Sequence, residues 1–329
     1  SAPMERDVDA DAPPAQLYDM EQDPGEQNNL YLSHPEVTQR LLANLTADIQ
    51  NGRSTEGPAA TNDVEKITNH IIDGGVSFIV VQGTTGETPT LNTAEKAEIL
   101  KTVVETNQGR LPIILGLGGN NTQGLIDEMN STDLTGVDAI LSASPYYNKP
   151  NQEGIYQHYK ALNEASKLPI IVYNVPGRTA SNILPETQIR MANDLDKIIA
   201  VKEASGNIEQ KAKVIQNSPK GFQVLSGDDA QVVAECALGS VGVISVIANA
   251  FPKQFSDMVR ACHANDYPTA RKLFYSVRNI IDLLFADGNP AGVKAALNIL
   301  GLCEETVRLP LVTANRKVYE DLKAEIAKL

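Results

Sequence analysis

Cysteine, histidine and positive charge are all scarce in this chain, and long apolar runs are absent. Cys236, Cys262 and Cys303 are odd in number, lie in separate apolar segments and show no CxxC spacing. That pattern argues against a disulfide framework and for buried thiols in a reducing compartment. The four histidines have no metal-ligand spacing, so no metal site is predicted. A formal charge of −13 without a cluster of Lys and Arg excludes a nucleic-acid partner, which would need basic groups for its phosphates. No run approaches the ~18 apolar residues that would span a membrane, and residues 1–14, "SAPMERDVDADAPP", lack the apolar core of a signal peptide. The expected compartment is the cytoplasm. What is present is ordinary for a globular protein: 329 residues, 42% hydrophobic and 21% charged, enough for one large core or two modest ones. A small-molecule or protein partner is expected.

Charge is distributed unevenly. Residues 1–63 hold 12 acids against 3 Arg and no Lys, whereas residues 64–329 hold 29 acids, 25 bases and all 17 lysines. Between them "NGRSTEGPAATND", residues 51–63, has the Gly, Pro, Ser and Thr content of a linker. The chain is therefore read as a front segment, 1–63, and a main domain, 64–329. In the front segment Val37, Leu41, Leu42 and Leu45 fall at helical spacing after Ser33, a candidate N-cap, but one amphipathic helix cannot make a core. The stretch "LYDMEQDPGEQNNLYLSHPEV" with the following "NGRSTEGP" resembles the carboxyl-terminal tail of a bacterial sulfatase of the arylsulfatase class. That family's catalytic Cys or Ser motif is absent, so no sulfatase activity is inferred.

In the main domain seven apolar runs rich in Val and Ile alternate with stretches of helical periodicity. They are "VSFIVVQ" from 76, "LPIILGL" from 111, "VDAILSA" from 137, "LPIIVYN" from 168, "IIAVKEA" from 198, "FQVLSGD" from 222 and "VGVISVI" from 241. Such alternation predicts βα units and a parallel sheet covered on both faces. Among the helices, "TAEKAEILKTVVETN" has Thr93 as a candidate cap and Ile99, Leu100, Val103 and Val104 on one face. The polar clusters "GTTGE", "GGNN", "SPYYNKP", "NVPGRT", "KEASG", "SGDD" and "ANAFP" all follow the runs. Chemistry gathered at every carboxyl end fits the rim of a (β/α)8 barrel better than the single switch point of a doubly wound sheet. "GLGGNN" is read as a tight turn, because Asn121 stands where a dinucleotide loop needs its third glycine. At this rim Lys202 ends an otherwise apolar strand, where partial desolvation would lower its pKa and make it a candidate nucleophile for a carbonyl carbon.

With "GTTGE", "SPYYNKP", "YNVPGRT", "KEASGN", "LSGDD", "GVISV" and "GNPAGVKAAL" in order over residues 64–329, the chain resembles the dihydrodipicolinate synthase family of pyruvate-dependent Schiff-base aldolases. The resemblance implies a TIM barrel with carboxyl-terminal helices and the condensation of pyruvate with aspartate 4-semialdehyde, on the route to lysine and diaminopimelate. It implies no metal and no dissociable cofactor, and a homotetramer built as a dimer of dimers. By position, Lys202 is implied as the Schiff-base amine and Tyr173 as the proton-transfer group, with Thr84 and Tyr147 relaying to it, Tyr147 in a neighbouring subunit's site. Thr85 would hold the pyruvate carboxylate and Arg178 the semialdehyde's carboxylate, while Ile244 and Gly227 would line the pocket. Arg178 favours the synthase over sialic-acid lyases and 2-keto-3-deoxy sugar aldolases, which share the lysine and tyrosine. Family members that bind lysine between subunits carry a histidine and a glutamate where this chain has Thr93 and Gly124, although Gly118, Asn120 and Tyr146 match. Weak or absent inhibition by lysine follows, because no carboxylate remains there for its amines.

One family feature is missing from the sequence. The first barrel strand, ending in Thr-Pro-Phe, should precede "VEKITNHIIDGG", and the sulfatase-like segment occupies its place. "PAQLYDM", residues 14–20, is a poor substitute, with adjacent rather than alternating apolar residues. Three accounts stay open: a working enzyme with an improvised front end, a chimeric and poorly folded product, and a non-catalytic barrel used for binding.

Overall fold

The computed structural model describes residues 61–329. The expectations for the helix at 34–49, the sulfatase-like tail and a strand at 14–20 lie outside the described residues. The described part opens with α1 (Thr61–Asp73), followed by β1 (Ile79–Val81), α2 (Thr93–Asn107), β2 (Ile113–Gly116), α3 (Thr122–Ser131), β3 (Ala139–Ala143) and α4 (Gln152–Ala165). It continues through β4 (Ile170–Asn174), the one-turn α5 (Pro176–Thr179), α6 (Pro185–Asp194), β5 (Ile198–Glu203), α7 (Ile208–Asn217), β6 (Gln223–Ser226) and α8 (Val232–Leu238). Four helices close the chain: α9 (Pro252–His263), α10 (Tyr267–Ala286), α11 (Ala291–Ile299) and α12 (Arg316–Ile326).

Strand order is β1-β2-β3-β4-β5-β6 and every pairing is parallel, giving an α/β half-barrel. Alternation along each strand separates two cores. Ile79, Val81, Ile113, Leu115, Ile140, Ile170, Val172 and Val201 pack outward with the helices. Ile114, Leu141, Ile171, Tyr173, Ala200, Leu225 and Ile244 share the inner face. Burying one large aliphatic side chain is worth about 1.5–3 kcal/mol, so a one-residue slip, which would exchange the two sets, is strongly disfavoured. Gly116 marks where the chain after β1 crosses close to β2: a Cβ there would lie 2.2 Å from the Gln82 carbonyl oxygen. A third core, built on Phe255, Met258, Ile280, Leu284, Val293 and Leu322, belongs to the closing helices.

Six of the seven predicted strands form as expected. The seventh, from 241, does not become a full strand. Residues 241–244 follow β6 through Val241 N–H to Val224 O, Ser226 N–H to Gly242 O and Ile244 N–H to Ser226 O, with one bridge, Ser226 to Val243. The next N–H groups, of Val246 and Ile247, donate to the Asp229 carboxylate at 2.9 Å each. That capture turns the chain into the short 3-10 turn Ile247–Asn249 before a ladder can extend. The cap of α2 also differs from expectation. Asn92, not Thr93, is the N-cap, in a capping box with Glu95. Leu100 and Val103 of the predicted face are buried, with Ile99 and Val104 packed beside them.

Candidate active site

Lys202 and Tyr173 are register partners across β5 and β4, and both point inward. The lysine Nζ lies over the tyrosine ring, 4.3 Å from its centroid. Lys202 is half-buried as a residue while Tyr173 is buried, and the ring forms a wall beside the amine. Burial pulls the lysine pKa from 10.5 to about 8; the negative charge of Asp229 opposes this shift and the Arg178 guanidinium adds to it. A substantial fraction of the amine is therefore uncharged near neutral to mildly alkaline pH. Its path also needs room. A Cβ on Gly227 would sit 2.5 Å from the Ala204 Cβ and 3.2 Å from Lys202 Cε, so glycine is what leaves the lysine stem its space.

The Thr84 hydroxyl neighbours the Tyr173 phenol and acts on its pKa. Burial raises the phenol pKa, and the Thr84 hydroxyl and the Arg178 charge work against that rise. Thr84 belongs to the 3-10 turn Thr84–Gly86, closed by Gly86 N–H to Gly83 O at 2.9 Å. The N–H groups of Thr84 and Thr85 come first in this turn and have no place in its i to i+3 ladder, leaving them oriented for an anion. Thr85 Oγ1 accepts from Asn289 Nδ2 at 3.0 Å, which leaves the Thr85 O–H to donate elsewhere. Glu87, in left-handed backbone at φ 54°, ends the turn and is tied to Lys294 at 2.5 Å and to the Arg308 N–H at 3.1 Å. The carboxyl-terminal segment, through Asn289, Lys294 and Arg308, thus braces the turn that carries the threonines.

The structure brings most of the predicted residues together. Arg178, in α5, is exposed, with Nη2 at 3.5 Å from Asn289 O, and its charge reaches both Lys202 and Tyr173. Ile244 is buried in the inner core with Tyr173. Tyr147 is 88% exposed, in left-handed backbone at φ 68°, unlike the buried Tyr173. Two residues were not foreseen. Asp229 is buried, its Oδ2 fixed by two N–H groups and its Oδ1 without a hydrogen-bond partner, and it is the countercharge felt by Lys202. Burial raises its pKa, against the pull of the Ile247 N–H, the Ser245 hydroxyl, the Val246 N–H and, least of these, Lys202. Asn289 bridges Thr85 and Arg178. The motifs "SGDD" and "GNPAG" contained both residues, but only the fold shows which of two adjacent aspartates turns inward.

The chain matches the dihydrodipicolinate synthetase family over residues 43–329, a span that begins ahead of the boundary read at 63/64. It is 50% identical over 264 residues to the 4-hydroxy-tetrahydrodipicolinate synthase of Parabacteroides distasonis, covering 80% of this chain and 89% of that protein. It is 51% identical over 262 residues to that of Flavobacterium psychrophilum, with the same coverage of 80% and 89%. Among solved structures, dihydrodipicolinate synthase from Thermotoga maritima superimposes with a TM-score of 0.81 at 36% identity, covering 83% of this chain and 94% of the other. A monomeric dihydrodipicolinate synthase variant gives a TM-score of 0.79 at 37% identity, covering 81% and 90%.

Proposed function

The chain belongs to the dihydrodipicolinate synthetase family, and from that premise we propose that it condenses pyruvate with L-aspartate 4-semialdehyde to give 4-hydroxy-tetrahydrodipicolinate, a lyase-class step of lysine and diaminopimelate biosynthesis. The observation that carries this reading is the desolvated amine of Lys202 set over the ring of Tyr173 on the inner face.

The neutral Lys202 amine adds to the ketone carbon of pyruvate, and loss of water from the carbinolamine leaves a protonated imine. Tyr173, with Thr84 beside it, delivers the proton that lets water leave and takes one from the methyl carbon, giving the enamine. The Thr85 hydroxyl and the first N–H groups of its turn hold the pyruvate carboxylate, and Arg178 receives the carboxylate of the semialdehyde at the rim. The enamine carbon attacks the aldehyde, forming the carbon–carbon bond. The semialdehyde's own amine then displaces Lys202 as the ring closes, and one water is lost overall. Ile244 and Gly227 shape the pocket, and Asp229 supplies negative charge near the cation formed on Lys202.

Tyr147 acts in a neighbouring subunit's site. Its high exposure and left-handed backbone in the single chain support that assignment, because a tyrosine in such a conformation needs contacts to stabilise it. The assembly is a homotetramer, a dimer of dimers, and the compartment is the cytoplasm; among the described residues no helix is long and apolar enough to cross a membrane. The architecture is a (β/α)8 barrel without the family's first strand, and the front segment is a sulfatase-like tail, readings supported by sequence alone. Treatment with pyruvate and borohydride tests the chemistry: a pyruvate-derived adduct at Lys202 is expected by peptide mass analysis. Folded protein that gains no adduct would overturn it.

A further inference from the structure

Immediately after Lys202 and Tyr173, Glu203 and Asn174 are also register partners, but they face outward under the helices, and both are 0% exposed. Glu203 Oε2 accepts from Asn174 Nδ2 at 2.9 Å, Gln188 Nε2 at 2.7 Å and Gln210 Nε2 at 3.0 Å, while Oε1 accepts from Ser205 N–H at 2.8 Å. All four donors are neutral. A buried carboxylate is costly even when hydrogen-bonded, and an apolar pair at this position would cover the sheet more cheaply. The network does have one property that an apolar pair lacks, which is direction. Asn174 is oriented by the Ile183 N–H on its Oδ1 at 2.9 Å and by the bond from its Nδ2 to Asn182 Oδ1 at 2.9 Å. Its amide cannot turn over without losing those bonds. Further down the same strand pair the register shifts between Ile170 and Ile171, so the ladder there does not by itself set the alignment at the rim.

We propose that Glu203 is a positioning residue, holding β4 to β5 through Asn174 in the register that sets Tyr173 against Lys202. The inference rests on the aldolase reading given above. Gln188 and Gln210 attach α6 and α7 to the same carboxylate, so the helices buttress the clamp from outside. The chemistry most sensitive to the clamp is the proton transfer between Tyr173 and the pyruvate methyl carbon, which depends on where the ring stands relative to the imine. Amine addition needs only the Lys202 nitrogen and the ketone, and the imine that follows still accumulates at equilibrium if Tyr173 speeds loss of water less well, so the trapped adduct is less sensitive.

Glu203→Gln in the full chain tests this, because it keeps shape and places an N–H where neighbouring donors already point. Two readouts are taken: the pyruvate–borohydride adduct at Lys202, and exchange of pyruvate methyl hydrogens with deuterated water followed by NMR. The variant is expected to form the adduct with an unchanged pyruvate KM while exchange slows by about tenfold or more, the scale expected for a small misplacement of a reacting group. Asn174→Ser removes the clamp from the other strand and should slow exchange alike; it carries the test if Glu203→Gln fails to fold. Gln188→Ala withdraws a donor that does not touch β4, and should lower Tm while exchange stays within about threefold. Wild-type exchange in Glu203→Gln or Asn174→Ser, or equal slowing in Gln188→Ala, would overturn the clamp. A wild-type chain that forms no adduct would overturn the aldolase reading instead, and the clamp with it.

Discussion

The inner and outer faces of β4 and β5 differ in how completely their polar groups are satisfied. Outward, Glu203 and Asn174 spend their hydrogen-bonding capacity on each other and on Gln188, Gln210, Asn182 and Ile183 N–H. Inward, at adjacent positions of the same strands, Lys202 has an aromatic ring below it and a countercharge in Asp229, whose second oxygen has no hydrogen-bond partner. A saturated network resists rearrangement, whereas an amine held by a ring contact and a countercharge stays free to react. The strand alternation of two places rigidity and reactivity back to back, so that each supports the other across one layer of backbone.

Removing the inward amine should have the largest effect. Lys202→Met is expected to abolish turnover, by about a thousandfold or more, and to eliminate the pyruvate–borohydride adduct. The same variant should be more stable than wild type. The folded amine titrates near 8 and the unfolded one near 10.5, so the fold carries a cost that is complete below pH 8. That cost fades as the pH rises from 8 towards 10.5. Urea denaturation at pH 7 should therefore show Lys202→Met gaining up to about 3 kcal/mol, with the gain shrinking at pH 9 to 10. A gain independent of pH would mean that the amine is not desolvated in solution. In wild type, the rate of adduct formation should climb with pH through a midpoint near 8.

Tyr173→Phe keeps the wall and removes only the acid–base group. Turnover should fall by about a hundredfold or more while the adduct still forms, which stopped-flow and trapping experiments can separate. Gly227→Ala intrudes on both Lys202 Cε and Ala204, and should cost about 1–3 kcal/mol of stability along with slower adduct formation. If adduct formation were unaffected, the lysine would be taking another path through the site. The smallest effect concerns L-lysine. Gly124 provides no carboxylate, and its N–H is already taken by the Asn121 cap at 3.2 Å, so micromolar lysine should leave the rate nearly unchanged. Half-maximal inhibition in that range would show that other groups replace the missing charge.

Much of this arrangement was legible in the order of residues. Apolar runs bounded by polar clusters located six strands and the rim they share, and a lysine ending such a run was recognisable as anomalous. The seventh run misled, because its β-rich composition does not reveal that Asp229, 17 residues before Val246, would draw off two N–H groups. Thr and Asn both serve as caps, so composition does not choose between Thr93 and Asn92, and the reciprocal Asn92–Glu95 bonds decide. Asn289 was hidden for a different reason: its partner Thr85 lies 204 positions away, beyond any local pattern.

Local periodicity and side-chain chemistry determined the parallel βα order, the carboxyl-end rim and one candidate nucleophile, since these depend on which residues alternate and which can react. The fold alone decided how far the amine's pKa drops, which aspartate opposes that drop, and which neutral amides hold the catalytic strands in step. Desolvation and hydrogen-bond direction are set by groups distant in the chain, and they take a value only once packing has brought those groups within a few ångströms.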